Sequence, residues 1–243
     1  MRTIRIYQPG NYACGHNLEL SPEASHHVAV VLRMQVGEGF ILFADSNQEF
    51  SVAIASISKK KVVVQVESVK TISRESPLSI HLAQCISKGE RMEWVVQKAV
   101  ELGVCSITPI ISQHVAVKLD KDRLEKKIAS WQAIAVGACQ QSGRNWVPRV
   151  HKPLGLGEWL AKEDSALKLV LDPEANSSWP DLSLSISSLS LLVGPEGGLS
   201  VEEVSQARSC GFQSIALGPR VLRTETAAIC ALSVLQALGG DLR

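Results

Sequence analysis

Residues 191–238 have the sequence LLVGPEGGLSVEEVSQARSCGFQSIALGPRVLRTETAAICALSVLQAL, which contains two successive strand–loop–helix units. The apolar run LLV stops at GPEGG, a pattern typical of a buried parallel strand. Ser200 and Glu203 have the spacing of a capping box, so a helix is predicted to begin just after the glycines. Gly211 is the expected left-handed residue that ends this helix.

The second unit follows directly. Residues 214–217 predict a strand, GPR a second loop, and Thr224 or Thr226 the N-cap of a final helix. Two loops that both open with Gly-Pro are expected side by side at the carboxyl edge of one sheet. That edge is where open α/β folds bind ligands.

The glycines of these loops allow a ligand to approach the backbone closely and leave amide donors facing it. One Gly-Pro loop is most simply a turn, but two such loops followed by the sequence RTET favour a binding site. GPEGG is not a P-loop because no Gly-Lys-Ser/Thr follows it, and Gly155-Leu156-Gly157 lacks the third glycine of a dinucleotide fingerprint.

The two segments LLVGPEGGLS and LGPRVLRTETA closely resemble the SPOUT methyltransferases of the RsmE type. The resemblance extends to KGERMEWVVQKAVELGV (88–104), QQSGRNWVP (140–148) and HHVAVVLRMQVGEGF (26–40), and so covers nearly the whole chain in order. It implies methylation of N3 of a specific uridine in the 16S ribosomal RNA of the small subunit, with S-adenosylmethionine (SAM) as the methyl donor. It also implies a homodimer.

The resemblance further implies an α/β fold with two domains. Residues 1–72 are expected to form a small β-rich PUA-like barrel that binds RNA. Residues 73–243 are expected to form the SPOUT methyltransferase domain, a mostly parallel sheet tied in a trefoil knot. The polar segment TISRESP (71–77) ends in proline before a new apolar strand, which supports this boundary.

Local patterns predict the other elements. A helix is expected from an N-cap at Ser21 to about Met34, because Pro22 and Glu23 suit its first turn. Strands are predicted over residues 40–44, 50–57, 62–69, 78–86, 104–111 and 167–171, and helices over 90–102, 118–144 and 158–161. Residues 176–190 are predicted to be a surface connection.

By resemblance, three loops bind SAM, with leucines as apolar walls. The cofactor-binding residues that the resemblance implies are Leu171, Asp172, Pro173, Val193, Gly194, Pro195, Glu196, Gly198, Leu199, Leu217, Gly218, Leu222, Arg223 and Thr224.

Loss of the N3 proton of uracil places negative charge on O2 and O4, which a fixed arginine would stabilise. Arg223 is the candidate for this role. Glu225 or Glu196 is the candidate for accepting the proton or orienting Arg223, although both acids also suit simple helix-terminus electrostatics.

Seven residues are candidate RNA contacts: His27, Arg33, Lys88, Arg91, Gln141, Arg144 and Arg220. If they do not contact RNA, Arg33 is expected to be a solvated charge and Arg144 a cation that suits the C-terminus of its helix. Gln140 stands where the family usually has Glu, which excludes an acid role there. Lys59–Lys61 is interpreted as a solubilising hairpin turn.

The composition sets broader limits. The chain has 243 residues, 45% of them hydrophobic, and a formal net charge of +1, which neither indicates nor excludes a nucleic-acid partner. Its six cysteines have no metal-ligand spacing, so reduced thiols and no metal are expected. No segment suggests export or a membrane span, so a cytoplasmic protein without a membrane partner is expected.

Three alternatives remain open at this point. A SPOUT ribose 2′-O-methyltransferase would share the cofactor loops. A non-catalytic RNA-binding or ribosome-assembly protein would keep the fold without binding cofactor. A nucleotide hydrolase is disfavoured because the P-loop lysine and a metal-binding acid pair are missing.

Overall fold

The computed structural model of the chain describes residues 3–59, 61–115, 121–176, 179 and 186–242. The chain divides into two compact units. The first comprises residues 1–75 and 139–147, and the second comprises residues 76–138 and 148–243.

The first unit contains a five-stranded sheet with strand order β1-β3-β4-β5-β2. Strand β1 is parallel to β3, and the remaining neighbours are antiparallel. The two edge strands have three residues each, too few for the sequence pattern to reveal them. The elements are β1 (Arg5–Tyr7), β2 (Asn17–Glu19), α1 (Pro22–His26), β3 (Gly39–Phe43), β4 (Gln48–Ser58) and β5 (Lys61–Thr71).

The core of this sheet is built from alternating inward residues, such as Val62, Val64 and Val66 on β5, each at most 1% exposed. Helix α1 begins as predicted, because the Ser21 Oγ accepts from the Ala24 N–H at 3.1 Å.

The predicted continuation of α1 to Met34 is wrong. The helix widens into a single π-helical turn, His27–Val31, and Arg33 then adopts a left-handed conformation with φ of 55°. A side chain with a Cβ is rarely found there, and a regular helix cannot pass through it.

The second unit is an α/β domain with an all-parallel sheet of order β12-β10-β11-β6-β7-β8, to which β9 adds beside β7. This confirms the predicted α/β class with a mostly parallel sheet. The strands are β6 (Ser79–Cys85), β7 (Ser106–Ile111), β8 (Arg149–Val150), β9 (Leu154–Gly155), β10 (Leu167–Leu171), β11 (Ser188–Val193) and β12 (Gln213–Ile215). The helices are α2 (Glu90–Glu101), α3 (Lys121–Ser142, of which residues 139–142 belong to the first unit), α4 (Leu156–Leu160), α5 (Val201–Ser209) and α6 (Thr224–Gly239).

Buried residues lie on both faces of this parallel sheet. One face packs Ala83, Cys85 and Leu192 against Trp159 of α4 and Ala207 of α5. The alternating residues of the same strands belong to the other face and are buried as well: Leu82, Leu169 and Leu191 are all 0% exposed. Burial on both faces is the reason that these strands are almost continuously apolar.

Most element boundaries lie within a few residues of the predicted ones. The capping box of Ser200 and Glu203 is present in full, and Gly211 is left-handed with φ of 89°. Strand β11 begins at Ser188, inside the predicted connection. The remainder of that connection falls largely outside the described residues, as do residues 118–120 of the predicted long helix.

Candidate functional site

Three neighbouring strands, β10, β11 and β12, end at the same edge of the parallel sheet, and each is followed by a predicted loop. The Asp172-Pro173 loop follows β10, which lies between the other two strands. The strands that carry the two Gly-Pro loops are therefore not adjacent, although the loops converge. The carbonyl of Gly194 accepts a hydrogen bond from the Thr224 Oγ1 at 2.6 Å.

All the residues predicted to bind the cofactor line two adjoining cavities at this edge. The larger is a cleft of about 380 Å³ between the Val193–Leu199 loop and residues 221–224. The smaller lies beside Leu217 and Gly218 and shares Leu171, Pro173 and Leu222 with the cleft. The structure thus brings together residues from three separate parts of the sequence.

Glycines shape both loops. Gly198 and Gly218 have φ values of 71° and 85°, which strain any other residue, and an added Cβ would meet no atom within 4 Å at either position. Gly194 differs because an added Cβ would lie 3.1 Å from the Leu199 backbone nitrogen. This loop therefore folds closely on itself at Gly194 and leaves open space at Gly198.

The prediction that Thr224 or Thr226 caps the last helix is wrong. Arg223 is the N-cap and makes no side-chain capping bond. The Thr224 hydroxyl is used elsewhere, since it donates to the Gly194 carbonyl and accepts from the Gln84 Nε2 at 2.9 Å. Gln84 is fully buried near the end of β6 and was missed by sequence reasoning, although a lone amide in an apolar strand is the signal that could have found it.

Both candidate acids lie beside Arg91 rather than Arg223. The Glu196 Oε1 accepts from the Arg91 Nη1 at 2.8 Å and from the Lys88 backbone N–H at 2.9 Å. The Glu225 Oε1 lies 3.9 Å from the Arg91 Nε. Among the described residues, neither acid forms an ion pair or hydrogen bond with Arg223, so neither is placed to orient it.

The environment of Glu196 determines its acidity. Burial by itself would raise the pKa of this carboxyl, but the Lys88 N–H and the Arg91 guanidinium outweigh it and hold the pKa below its usual value. Glu196 is therefore a weak proton acceptor and a good anchor, and it ties the GPEGG loop to the first turn of α2.

Arg223 is exposed at the rim of the cleft. Its guanidinium makes no hydrogen bond or ion pair with any residue that the structure describes, and it stands at the N-terminus of α6, where the helix dipole disfavours a cation. An arginine in this position does not stabilise the fold electrostatically. This placement suits a group kept available for a negatively charged ligand.

The candidate RNA residues divide between the two units. His27, Arg33, Gln141 and Arg144 belong to the first unit, and Lys88, Arg91 and Arg220 belong to the second. Lys88 and Arg220 are exposed. Of the predicted lysine turn, Lys59 is left-handed and Lys61 pairs with Glu19 at 2.9 Å, whereas Lys60 lies outside the described residues.

Arg144, a candidate RNA contact, is buried. It is 5% exposed, and its guanidinium forms a two-pronged ion pair with Glu75 inside the first unit. This geometry favours a structural role for Arg144 over the RNA contact that the resemblance implied.

All six cysteines are free thiols, of which Cys14 and Cys105 are exposed. Within the described ranges, no group of three or more metal-ligating side chains converges. No helix in the part of the chain that the structure covers is long and apolar enough to cross a membrane.

Family models match both units. A model described as an RNA methyltransferase domain matches residues 74–236, and a second, described as an RNA methyltransferase PUA domain, matches residues 20–67. The chain belongs to this family of RNA methyltransferases.

Its relatives include particular enzymes. The chain is 34% identical over 242 residues to the ribosomal RNA small subunit methyltransferase E of Buchnera aphidicola. The matched region covers 98% of this chain and 95% of that protein. It is also 34% identical to the enzyme of the same name from Bacillus subtilis, over 91% of this chain and 92% of that one.

Two solved structures match over the full length of both chains. A methyltransferase from Legionella pneumophila, solved with the bound cofactor SAM, has a TM-score of 0.96 and 53% identity. A ribosomal RNA small subunit methyltransferase E from Neisseria gonorrhoeae, bound to SAM, has a TM-score of 0.92 and 37% identity.

Proposed function

We propose that this protein transfers a methyl group from SAM to the 16S ribosomal RNA of the small subunit, at N3 of one uridine. The observation that carries the proposal is the cleft at the carboxyl edge of the sheet. It joins both glycine-rich loops to an unpaired arginine, in a chain whose full-length relatives are named as small-subunit rRNA methyltransferases.

The cleft fits the cofactor. Its volume is in the range of small-molecule sites, and Leu171, Leu199 and Leu222 supply apolar walls beside backbone polar groups. Gly198 and Gly218 leave open the space that a Cβ would fill. When bound, SAM supplies an electrophilic methyl group. The chain itself positions the uracil ring and stabilises the charge that develops on it.

Arg223 is the residue proposed to stabilise that charge. N3 of uracil is weakly acidic, and loss of its proton spreads negative charge over O2 and O4. The exposed Arg223 guanidinium at the cleft rim has hydrogen-bond donors free for one of these oxygens.

For the acids, we propose that Glu196 anchors the loop and that Arg91 is a positioning residue for it. A carboxyl with a lowered pKa takes up a proton poorly. Glu225 has one carboxylate oxygen that is buried and makes no hydrogen bond with the described residues. It is therefore the less restrained of the two acids. Unlike Glu196, however, Glu225 is not among the described residues that line the cleft.

Replacing Glu196 with Gln tests this assignment. If Glu196 is an anchor, the substitution should weaken SAM binding by a few-fold. Methyl transfer under saturating SAM should then fall by less than about 10-fold. A general base contributes about 10²–10⁴-fold, so its loss should lower kcat by at least 100-fold and remove the acidic limb of the pH–rate profile. Glu225→Gln, measured in parallel, is the matched comparison. A 100-fold loss in the Glu196 variant would reverse the assignment.

Mass spectrometry of the RNA product tests the function itself. Small subunits lacking the modification are incubated with protein and labelled SAM, and their 16S rRNA is digested. One methyl on N3 of one uridine is expected. A methyl on a ribose would replace the reaction by 2′-O-methylation, and absence of both product and bound SAM would favour an RNA-binding protein.

We propose that the first unit contributes to RNA binding through His27 and Arg33. Arg33 is exposed on the left-handed turn after the π-helical segment, next to the exposed Val31 and Leu32. Phosphate contacts of this kind supply affinity that depends on salt and carries no sequence information.

Arg33 and Arg144 form a test pair with opposite expected results. Arg33→Ala should reduce the slope of log K against log salt for RNA binding by about one, without changing stability. Arg144→Ala should lower the free energy of unfolding by roughly 3 kcal/mol, because it leaves Glu75 without its buried partner. Urea denaturation and RNA titrations at several salt concentrations measure both. An Arg144 variant of normal stability with a reduced salt slope would restore its RNA role.

We also propose that the protein is a homodimer, as the resemblance implies. Exposed apolar side chains on α2 and α6, Trp94 at 53% and Leu238 at 50%, suit a subunit contact. Sedimentation velocity over a range of protein concentrations tests this, and a monomer throughout would contradict it. The trefoil knot remains a prediction.

A further inference from the structure

A row of polar residues crosses the parallel sheet of the second unit at its amino end, away from the cofactor cleft. The register pairs Arg149 on β8 with Ser106, Ser106 with His81, His81 with Ser190, and Ser190 with Lys168. Residues paired in register share a face, so five strands carry polar side chains in line. Parallel strands that are buried on both faces are normally apolar, and this row departs from that rule.

The row borders a cavity. The carboxyl half of the same face is covered by α4 and α5, whereas the amino half opens into a cavity of about 600 Å³. Its lining includes Ser79, Thr108 and Ser188 beside the row, together with His151 and Lys152. The volume is in the range of small-molecule binding sites.

A network of hydrogen bonds connects the side chains on the floor of this cavity. The His81 Nδ1 lies 3.3 Å from the Glu163 Oε2, and its Nε2 lies 2.8 Å from the Thr108 Oγ1. Glu163 also accepts from the Ser165 Oγ at 2.6 Å, and Ser165 reaches Ser190 at 2.9 Å. Although burial opposes the charge, these donors hold the pKa of Glu163 well below its usual range. The carboxylate is therefore ionised and already satisfied, and it holds the imidazole in one orientation.

The cations at the mouth are not satisfied in this way. Arg149 and Lys152 are exposed and form no ion pair with the residues that the structure describes, whereas Lys162 pairs with Glu158 at 2.7 Å. His151 follows Arg149 by two residues on the strand, and its ring centroid is 6.0 Å from that of His81. Burial, followed by repulsion from His81 and Arg149, lowers the pKa of His151. Arg149, His151 and Lys152 thus line the cavity without ion-pair partners among the described residues. Two carboxylates also line it, namely Glu163, which is bound to His81, and the exposed Asp164.

We propose that this cavity binds a phosphate group, with Arg149, His151 and Lys152 as its charged partners and the serine and threonine hydroxyls as additional donors. Arginine pairs with phosphate through two parallel hydrogen bonds, and a bound anion would relieve the repulsion among the cations. The site lies at the opposite edge of the sheet from the cofactor cleft and does not depend on methyl transfer. The phosphate belongs either to RNA or to a free nucleotide.

Histidine side-chain NMR on the full chain tests the proposal. Inorganic phosphate and uridine 5′-monophosphate are titrated separately, against sodium chloride at equal ionic strength, with signals assigned by His151→Gln. Saturable shifts of the His81 and His151 signals are expected with inorganic phosphate and with uridine 5′-monophosphate, but not with sodium chloride. The pKa of His151 should rise when either phosphate binds. Arg149→Ala should weaken phosphate binding by about 10-fold or more.

Two further variants complete the experiment. Lys152→Ala should also weaken binding, while Lys126→Ala, which removes an exposed lysine on α3, should not. SAM affinity, measured on each variant, should stay unchanged. The proposal fails if phosphate and chloride have the same effect, or if Arg149→Ala and Lys152→Ala both bind phosphate as tightly as the native chain. Displacement of phosphate by a short single-stranded RNA identifies RNA as the source, and its absence identifies a free nucleotide.

Discussion

Replacing Arg223 with alanine is expected to lower methyl transfer by about 100-fold or more while leaving SAM affinity nearly unchanged. Arg223 lies at the cleft rim and is exposed, and its side chain makes no hydrogen bond or ion pair within the described parts of the chain. Its loss should therefore cost the fold little. The effect should appear in the chemical step, where charge develops on the uracil oxygens.

Single-turnover assays on rRNA, with SAM affinity measured by calorimetry, separate the two effects. Arg223→Lys is the matched variant, because it keeps the charge but not the paired donors, and it should recover only part of the rate. Arg220→Ala removes a nearby exposed arginine and should weaken RNA binding without a comparable loss in the single-turnover rate at saturating RNA. Unchanged turnover in Arg223→Ala would remove this residue from the mechanism.

Replacing Thr224 with valine is the second change with a large expected effect. The Thr224 hydroxyl is buried between the Gly194 carbonyl and the Gln84 amide, and valine matches its shape without the oxygen. An unpaired buried polar group costs about 1–3 kcal/mol, so the free energy of unfolding should fall by about 2 kcal/mol. SAM affinity should fall by about 10-fold, because the GPEGG loop loses its tie to α6.

Urea denaturation and calorimetric titration with SAM measure these two quantities. Thr224→Ser retains the hydroxyl and should restore most of both. If the valine variant kept native stability and SAM affinity, the Thr224–Gly194 contact would have no energetic importance.

The local sequence predicted helix ends and strand bounds correctly where they depend on residues close together in the chain. The capping box of Ser200 and Glu203 and the left-handed Gly211 lie where the spacing predicts them, because each is satisfied within one turn of helix. The strand Leu167–Leu171 has the predicted bounds because it is apolar apart from Lys168, as a largely buried parallel strand requires.

Local sequence failed where a side chain has a distant partner. Thr224 was predicted to cap its own helix, but it bonds to Gly194 and Gln84 instead. Arg144 was interpreted as an RNA contact or a helix C-terminal cation, but its guanidinium is buried and pairs with Glu75, 69 residues away in sequence. Hydrogen bonds and ion pairs of this kind leave no periodic signal.

The sequence by itself determined the order of the longer strands and the helices, the positions of the glycine-rich loops and the resemblance that connects them to RNA methyltransferases. Only the tertiary structure decided the environment of each polar side chain. It placed β10 between β11 and β12, joined Glu196 to Arg91 across 105 residues, and aligned Arg149, His81 and Ser190 across the sheet. Strand order and register are set by packing between segments far apart in the chain, and the charge partners of each residue follow from them.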